Sequence, residues 1–402
     1  MAAAMAVLSL SAPVQASALS SAEPSRNGLS SSALQSNGKC VFPAAVIKST
    51  PWSLQRVLLP QLWHYATGKG VTVAVIDTGV DDTNPQLRNA VEAGPNFLSG
   101  ATGGSLTDPV GHGTMVAGII AARQAGDTGF VGLAPDATVY SLRQNDAQGT
   151  GNEKTMAQAV RAAIAKKVDV INISQDVSTD GKPASVAPDG LLAKAVAAAV
   201  QANIVVVAAA GNEGLSVPTY PASLPGVLGV GASDRDDERA DAFSETGSSV
   251  GVAAPGVDMV STVPKGGHCV DSGTSFAAPY VAGVAALLKQ EYPKWTAAEI
   301  IARIEQTAQR TDPGRNDFIG WGVVDPVAAL SAGTPAESAP VPTVRQHGSA
   351  APVTARPLGL GETRAERQQR TAVYALGLGL LAVLLVSGTA VVLRDTRRRR
   401  TA

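Results

Sequence analysis

The chain has 402 residues, 45% of them hydrophobic, and a formal net charge of −1. That size and apolar share suit one domain of about 250 residues with appendages, or two smaller ones. The near-neutral balance removes the electrostatic case for nucleic acid as a partner.

In chain order, residues 1–18 hold a short apolar run followed by Ala16-Ser17-Ala18, a small-x-small cleavage pattern. They are expected to be a signal peptide cut near Ala18. No Lys or Arg precedes Arg26, so a start further upstream or an Ala/Ser tail stays open as the alternative. Residues 19–51 form a Ser-rich arm without periodicity. The block 52–330 has α/β character. "VTVAVID" (71–77), "VDVINIS" (168–174), "IVVVAAAGN" (204–212) and "VLGVGAS" (227–233) predict short, nearly continuous apolar strands. Such strands belong to a parallel sheet covered on both faces. Helical stretches at 112–123, 153–167, 189–202, 276–290 and 296–308 alternate with them. The alternation predicts an α/β fold: a doubly wound, mostly parallel sheet with helices on both faces.

A Pro-rich linker is expected over 331–370. Thr371 to Leu393 carry no charged side chain over 23 residues, and a bilayer needs about 20. This predicts one C-terminal transmembrane helix. The arginines of "RDTRRRR" follow at once and assign the basic tail, 394–402, to the cytoplasm. The folded block then lies outside the cell membrane.

In "DSGTSFAAPYVAG" (271–283), Ser275 stands at the start of an apolar helix. A hydroxyl there is a capping group unless it has a base, a group that orients the base, and donors for an oxyanion. Of the four histidines, His347 falls in the linker, His64 precedes the first core strand, and His268 sits in an apparent loop, "KGGHCVDSG". His112 is flanked by Gly111 and Gly113 and opens an apolar helix, which gives the ring a fixed platform and room for close approach. Asp77 ends the first strand ahead of Thr78-Gly79. It serves either an Asx turn or the orientation of His112. Asn212, on the Gly-flanked turn of "AAAGNEG", offers an amide for an oxyanion, as does the Ser275 N–H at its helix start. Open α/β sheets place such groups beyond the C-terminal ends of their strands.

Taken together, "VAVIDTGV", "GHGTMVAGIIAA", "GTSFAAPYVAG" and "AAAGNEG" resemble the catalytic and oxyanion motifs of the subtilisin-like serine proteases, in that superfamily's order Asp, His, Ser. The resemblance covers roughly residues 60 to 330 and implies peptide-bond hydrolysis. Asp77, His112 and Ser275 would be the triad, Asn212 the oxyanion donor, and proteins or peptides the substrates. More narrowly, the chain is similar to the mycosins, the membrane-anchored subtilases of type VII secretion systems. "INIS", "GWGVVDPVAAL", the Pro-rich tether, the single C-terminal span and the Arg-rich tail carry this narrower likeness. It implies association with a membrane secretion complex, either as a protease of exported proteins or as a structural subunit. A general degradative cell-surface subtilase is the third reading.

Two features depart from the pattern. The cleft wall reads Ser174-Gln175-Asp176-Val177 where subtilases have Ser-Leu-Gly-Gly. Asp176 there either favours a basic substrate side chain or is a solvent-facing loop acid. Mycosins also hold more than two cysteines. The two here, Cys40 in the arm and Cys269 six residues before Ser275, are expected to pair outside the cell and staple the arm beside the cleft, with two free thiols as the alternative. No cofactor is expected. Subtilases commonly bind calcium, but Asp81-Asp82 and the acidic run Asp234 to Glu238 read better as solvated loops, and no metal-ligand spacing stands out.

Overall fold

The computed structural model describes residues 40–147, 151–179, 182–331, 333–335, 340–342 and 362–399. The expected signal peptide, most of the arm and much of the linker, His347 included, lie outside the described residues. The chain divides into two units, 1–344 and 345–402.

The first unit begins with α1 (Trp52–Gln55) and α2 (Leu59–Tyr65) and then enters a seven-stranded sheet. Its strands are β1 (Thr72–Asp77), β2 (Val91–Asn96), β3 (Thr138–Arg143), β4 (Val170–Ile173), β7 (Val205–Ala209), β8 (Val227–Ser233) and β9 (Val252–Pro255). The two-residue strands β5 (Ser178–Thr179) and β6 (Lys182–Pro183) pair only with each other. Sheet order is β2-β3-β1-β4-β7-β8-β9, and every pairing is parallel. Chain order reverses at β1, so a crevice opens beyond its C-terminal end.

Four of these strands match the predicted ones and form the contiguous centre, β1-β4-β7-β8. β2 and β3 carry no continuous apolar run, and β9 (VAAP) is only four residues long. β3 (TVYSLR) is nonetheless buried, because its polar side chains find partners: Ser141 Oγ donates to the Ser105 carbonyl at 2.7 Å and Arg143 to the Thr102 carbonyl at 2.9 Å. A hairpin of β10 (Met259–Thr262) and β11 (His268–Asp271) is likewise new. His268, read as a loop residue, is a buried strand residue. Its Nδ1 accepts from the Ile47 N–H at 3.1 Å, and its Nε2 meets Gln86 Oε1 at 2.6 Å.

Strand period two divides the side chains between two faces. Val73 and Val75 of β1 and Val205 and Val207 of β7 pack into one apolar cluster with α3 (His112–Ala121) and α6 (Thr274–Glu291). Ala74, Ile76, Val206 and Ala208 pack into the other, with α4 (Glu153–Lys166) and α5 (Leu191–Gln201). Truncating a fully buried residue such as Ile76 or Leu142 to Ala would cost about 2–5 kcal/mol. The same alternation that sends Val73 and Val75 toward α3 and α6 sends Asp77 there too. α7 (Ala297–Thr307) and α8 (Pro326–Ser331) complete this unit.

The second unit contains α9 (Arg364–Arg399), a helix of 36 residues that is apolar and long enough to cross a membrane. At 1.5 Å per residue it spans about 54 Å, more than a hydrocarbon core. Leu376, Leu380, Leu384 and Val391 are exposed along it, as side chains facing lipid would be.

Candidate active site

Three chain segments meet where β1 ends and α3 and α6 begin. Asp77 is the last residue of β1, His112 the first of α3 and Ser275 the second of α6. All three are buried. His112 Nδ1 lies 2.8 Å from Asp77 Oδ1, which also accepts from the Thr78 N–H at 2.7 Å. Gly113 permits this approach. A Cβ there would stand 2.0 Å from the Gly79 carbonyl oxygen and 3.1 Å from Asp77 Oδ1. Gly111 precedes the histidine at φ 89°, a left-handed conformation that glycine adopts without penalty.

A second buried carboxylate, Asp108, was not singled out from the sequence. Its Oδ1 accepts from Thr78 Oγ1 at 2.8 Å and the Gly111 N–H at 2.8 Å, and its Oδ2 from the Thr114 N–H at 2.8 Å and Thr114 Oγ1 at 2.6 Å. Thr78 Oγ1 in turn accepts from the Gly113 N–H at 3.0 Å. Asp108 therefore ties the turn after β1 to the first turn of α3 and sets how the imidazole meets Asp77. The available signal was an acid four residues before an apolar helix, a capping pattern. Burial raises its pKa against the lowering effect of those hydrogen bonds.

Burial also lowers the pKa of His112, but the Asp77 charge and hydrogen bond, with help from Asp271 and Asp108, outweigh it. The net shift is upward from the usual value. His112 Nε2 is buried without a hydrogen-bond partner among the described residues, and the ring packs against Phe276 with centroids 5.4 Å apart.

Asn212 lies three residues past β7, on a turn rather than on the strand itself. Its Oδ1 accepts from the Thr274 N–H at 2.8 Å and from Thr274 Oγ1 at 3.0 Å. That pins the amide oxygen and turns Nδ2 toward Gly273. A Cβ at Gly273 would lie 3.0 Å from Ser275 Oγ and 3.5 Å from Asn212 Nδ2. The hydroxyl and the amide thus border one gap that only glycine leaves open. The Ser275 N–H, in the first turn of α6, has no intrahelical acceptor, and Pro279 supplies no N–H to the Ser275 carbonyl.

Cys40 and Cys269 are disulfide-bonded, with Cα atoms 6.0 Å apart. Beyond Cys40 the arm follows β11: the Ala44 N–H donates to Gly266 O at 3.0 Å and the His268 N–H to Ala45 O at 3.1 Å. Phe42 covers Gly111, where a Cβ would meet its ring at 2.4 Å. Of the acidic groups weighed for calcium, Asp81 and Asp234 are engaged in local turns. Asp81 Oδ1 accepts from Thr83, and Asp234 Oδ1 from the Asp236 and Glu238 N–H groups. His64 is exposed at the end of α2.

The model of the subtilase family (Peptidase S8) matches residues 68–322. Subtilisin E of Bacillus subtilis (strain 168) is 39% identical over 287 residues, covering 70% of this chain and 71% of its own. A crystal structure of MycP1 with the N-terminal propeptide removed is 36% identical with a TM-score of 0.65, over 72% of this chain and 99% of that one. MycP3, a protease from the type VII (ESX-3) secretion system, is 35% identical with a TM-score of 0.64, over 71% of this chain and 90% of its own. With mycosins among its structural neighbours, the chain belongs to the subtilase family and is a subtilisin-like serine endopeptidase.

Proposed function

We propose that Asp77, His112 and Ser275 form the working triad and that Asn212 and the Ser275 N–H bind the oxyanion. The observation that carries this is the imidazole bridging two elements: Nδ1 on Asp77, with Nε2 buried and unpartnered beside the start of α6. Ser275 Oγ stands on the Gly273 side, and in this reading a rotation about χ1, between staggered wells, brings it to Nε2. Catalytic hydrogen bonds commonly tighten only when substrate binds. His112 then takes the hydroxyl proton as Oγ attacks the scissile carbonyl. It returns the proton to the leaving amine, while Asp77 holds the ring and stabilises its cationic form. The carbonyl oxygen, turned anionic, faces Asn212 Nδ2 and the helix-start N–H.

In this proposal residues 52–330 are the peptidase domain, held by the 331–370 linker to a membrane span over 371–393. The domain lies outside the membrane and the tail 394–402 in the cytoplasm, behind a signal peptide over 1–18. The substrates are exported proteins met close to the membrane, and the chain works beside a type VII secretion complex, as its MycP neighbours suggest. A structural role in that complex is the second reading. It is favoured by a related MycP1 structure described as an essential component of the type VII (ESX-1) secretion system, 34% identical to this chain. Export in cells carrying Ser275→Ala, compared with cells lacking the protein, separates the two. Loss of substrate processing in the Ser275→Ala strain supports the protease reading. Unchanged processing and export, with export abolished only by deletion, gives the structural role.

A further inference from the structure

The start of the Pro-rich linker is held against the peptidase fold by side chains around α7. Tyr292 Oη donates to the Leu330 carbonyl at 2.7 Å. Arg303 Nη2, on α7, donates to the Thr334 carbonyl. Pro340-Val341-Pro342 lies at the end of the same helix. Gln306 Oε1 accepts from the Val341 N–H at 2.8 Å, and Arg310 Nη1, three residues past α7, donates to the Val341 carbonyl at 2.9 Å. A Cβ at Gly314 would lie 3.7 Å from the Pro342 ring. The two prolines have no N–H to give, so Val341 carries the one backbone donor of this triplet, and that donor is met. The Val341 side chain stays 55% exposed, so the contact reads backbone and proline rings rather than the valine itself.

Both arginines are fixed from behind. Arg303 lies over the Trp295 ring at 5.6 Å and Arg310 over the Trp321 ring at 4.8 Å. Each arginine that holds a linker carbonyl is thus laid on an indole face, which sets the plane of its guanidinium. We propose that the end of α7 is a dock for an extended Pro-x-Pro segment, that its occupant is this chain's own 340–342, and that residues 332–342 are therefore a strap and not spacer. Proline fixes φ in the segment, which lowers the ordering cost of docking. The strap acts on reach. Residues 332–363, 32 in all, separate α8 from α9, and fully extended they span about 110 Å. From a docked Pro342 only 21 residues remain before α9, about 75 Å at full extension. Resting on the membrane anchorage proposed above, the dock limits how far from the bilayer the crevice meets a substrate, and release of the strap lengthens that range by about half.

The test uses the full-length chain. In detergent, hydrogen exchange is expected to find the Val341 amide protected, and Gln306→Ala to speed its exchange by about tenfold or more. Val341→Pro alters the linker alone: it keeps the segment extended and deletes its donor. Nitroxides on cysteines introduced by Ala298→Cys, at an exposed position of α7, and by Thr343→Cys should give one narrow distance in the parent chain and a broad distribution once Val341→Pro is added. If Gln306→Ala does not fold, Val341→Pro carries the comparison. In lipid nanodiscs, energy transfer from a dye at position 298 to a labelled bilayer should fall with Val341→Pro. An unprotected Val341 amide in the parent chain, or a parent distance distribution as broad as that of Val341→Pro, overturns the dock. Transfer that Val341→Pro leaves unchanged overturns the limit on reach. Transfer absent from every chain, with the narrow distance intact, counts against the membrane anchorage and leaves the dock standing.

Discussion

The crevice at the strand ends has two halves built on different terms. On the half proposed to do the chemistry, Asp77, His112 and Asp108 sit in a mesh of short hydrogen bonds from Thr78, Gly111, Gly113 and Thr114. Every carboxylate there has donors, and the ring of His112, its Nε2 without a hydrogen-bond partner among the described residues, packs against Phe276 next to Ser275. On the other half, Glu245 is buried beside Glu213, and burial with the Glu213 carboxyl pushes it up to about 8 against hydrogen bonds from the backbone at 213 and 215. The first half holds its charges with donors already in place. The second holds two acids that share a proton at neutral pH. Preorganisation of the first kind is what an acyl-transfer site needs, and a shared proton of the second kind ties stability to pH.

The comparison breaks most visibly if the catalytic half is not the seat of reaction. Ser275→Ala and His112→Ala are expected to lower kcat by about 10⁶ and Asp77→Ala by about 3 × 10⁴, the scale of the corresponding losses in subtilisin, with KM changing far less. A His112→Ala chain that keeps a tenth of its activity would remove the base from the account. Asn212→Ala is expected to cost about 10²–10³ in kcat, again on subtilisin's scale. An effect confined to KM would reassign that amide to ground-state binding.

Proton linkage sharpens the same contrast. His112 must be neutral to accept a proton, and its pKa is raised. The acid limb of kcat/KM should therefore fall above pH 6.5, the ordinary imidazole value. Asp271→Asn removes a negative charge that favours the imidazolium, so it should move that limb to lower pH. A limb that stays put, or moves up, refutes the assigned influence of Asp271. The effect expected to be smallest lies on the other half. Glu245 has a folded pKa of about 8 against an ordinary 4.5, so the folded state binds the extra proton. Its contribution to stability is complete below pH 4.5 and is lost as pH rises toward 8. Glu245→Gln should therefore gain in Tm relative to the parent chain between pH 5 and pH 8. A constant difference across that range would contradict the assigned burial of the charge.

The two halves also differ in how much of them the sequence discloses. Asp77, His112, Asn212 and Ser275 each sit beside glycines at the end or start of an apolar run, and local pattern alone marks them. The central strands are visible for the same reason, since β1, β4, β7 and β8 are mostly apolar runs. β3 escapes detection because Ser141 and Arg143 break the run, and their burial depends on carbonyls at 105 and 102. Asp108 looks like a helix cap until its link through Thr78 is seen. Glu245 is the least visible. It reads as one more polar residue in a Ser-rich loop, and its meaning comes from Glu213, which is distant in sequence and adjacent only once β7 and β8 are paired.

The most direct test of the triad is covalent labelling of the full-length chain by a fluorophosphonate across pH 5 to 9, with the adduct located by mass spectrometry. The account predicts an adduct on Ser275 whose formation rises with pH through the His112 pKa and disappears in His112→Ala. An adduct on another residue, or one at Ser275 that forms equally well without His112, would contradict it.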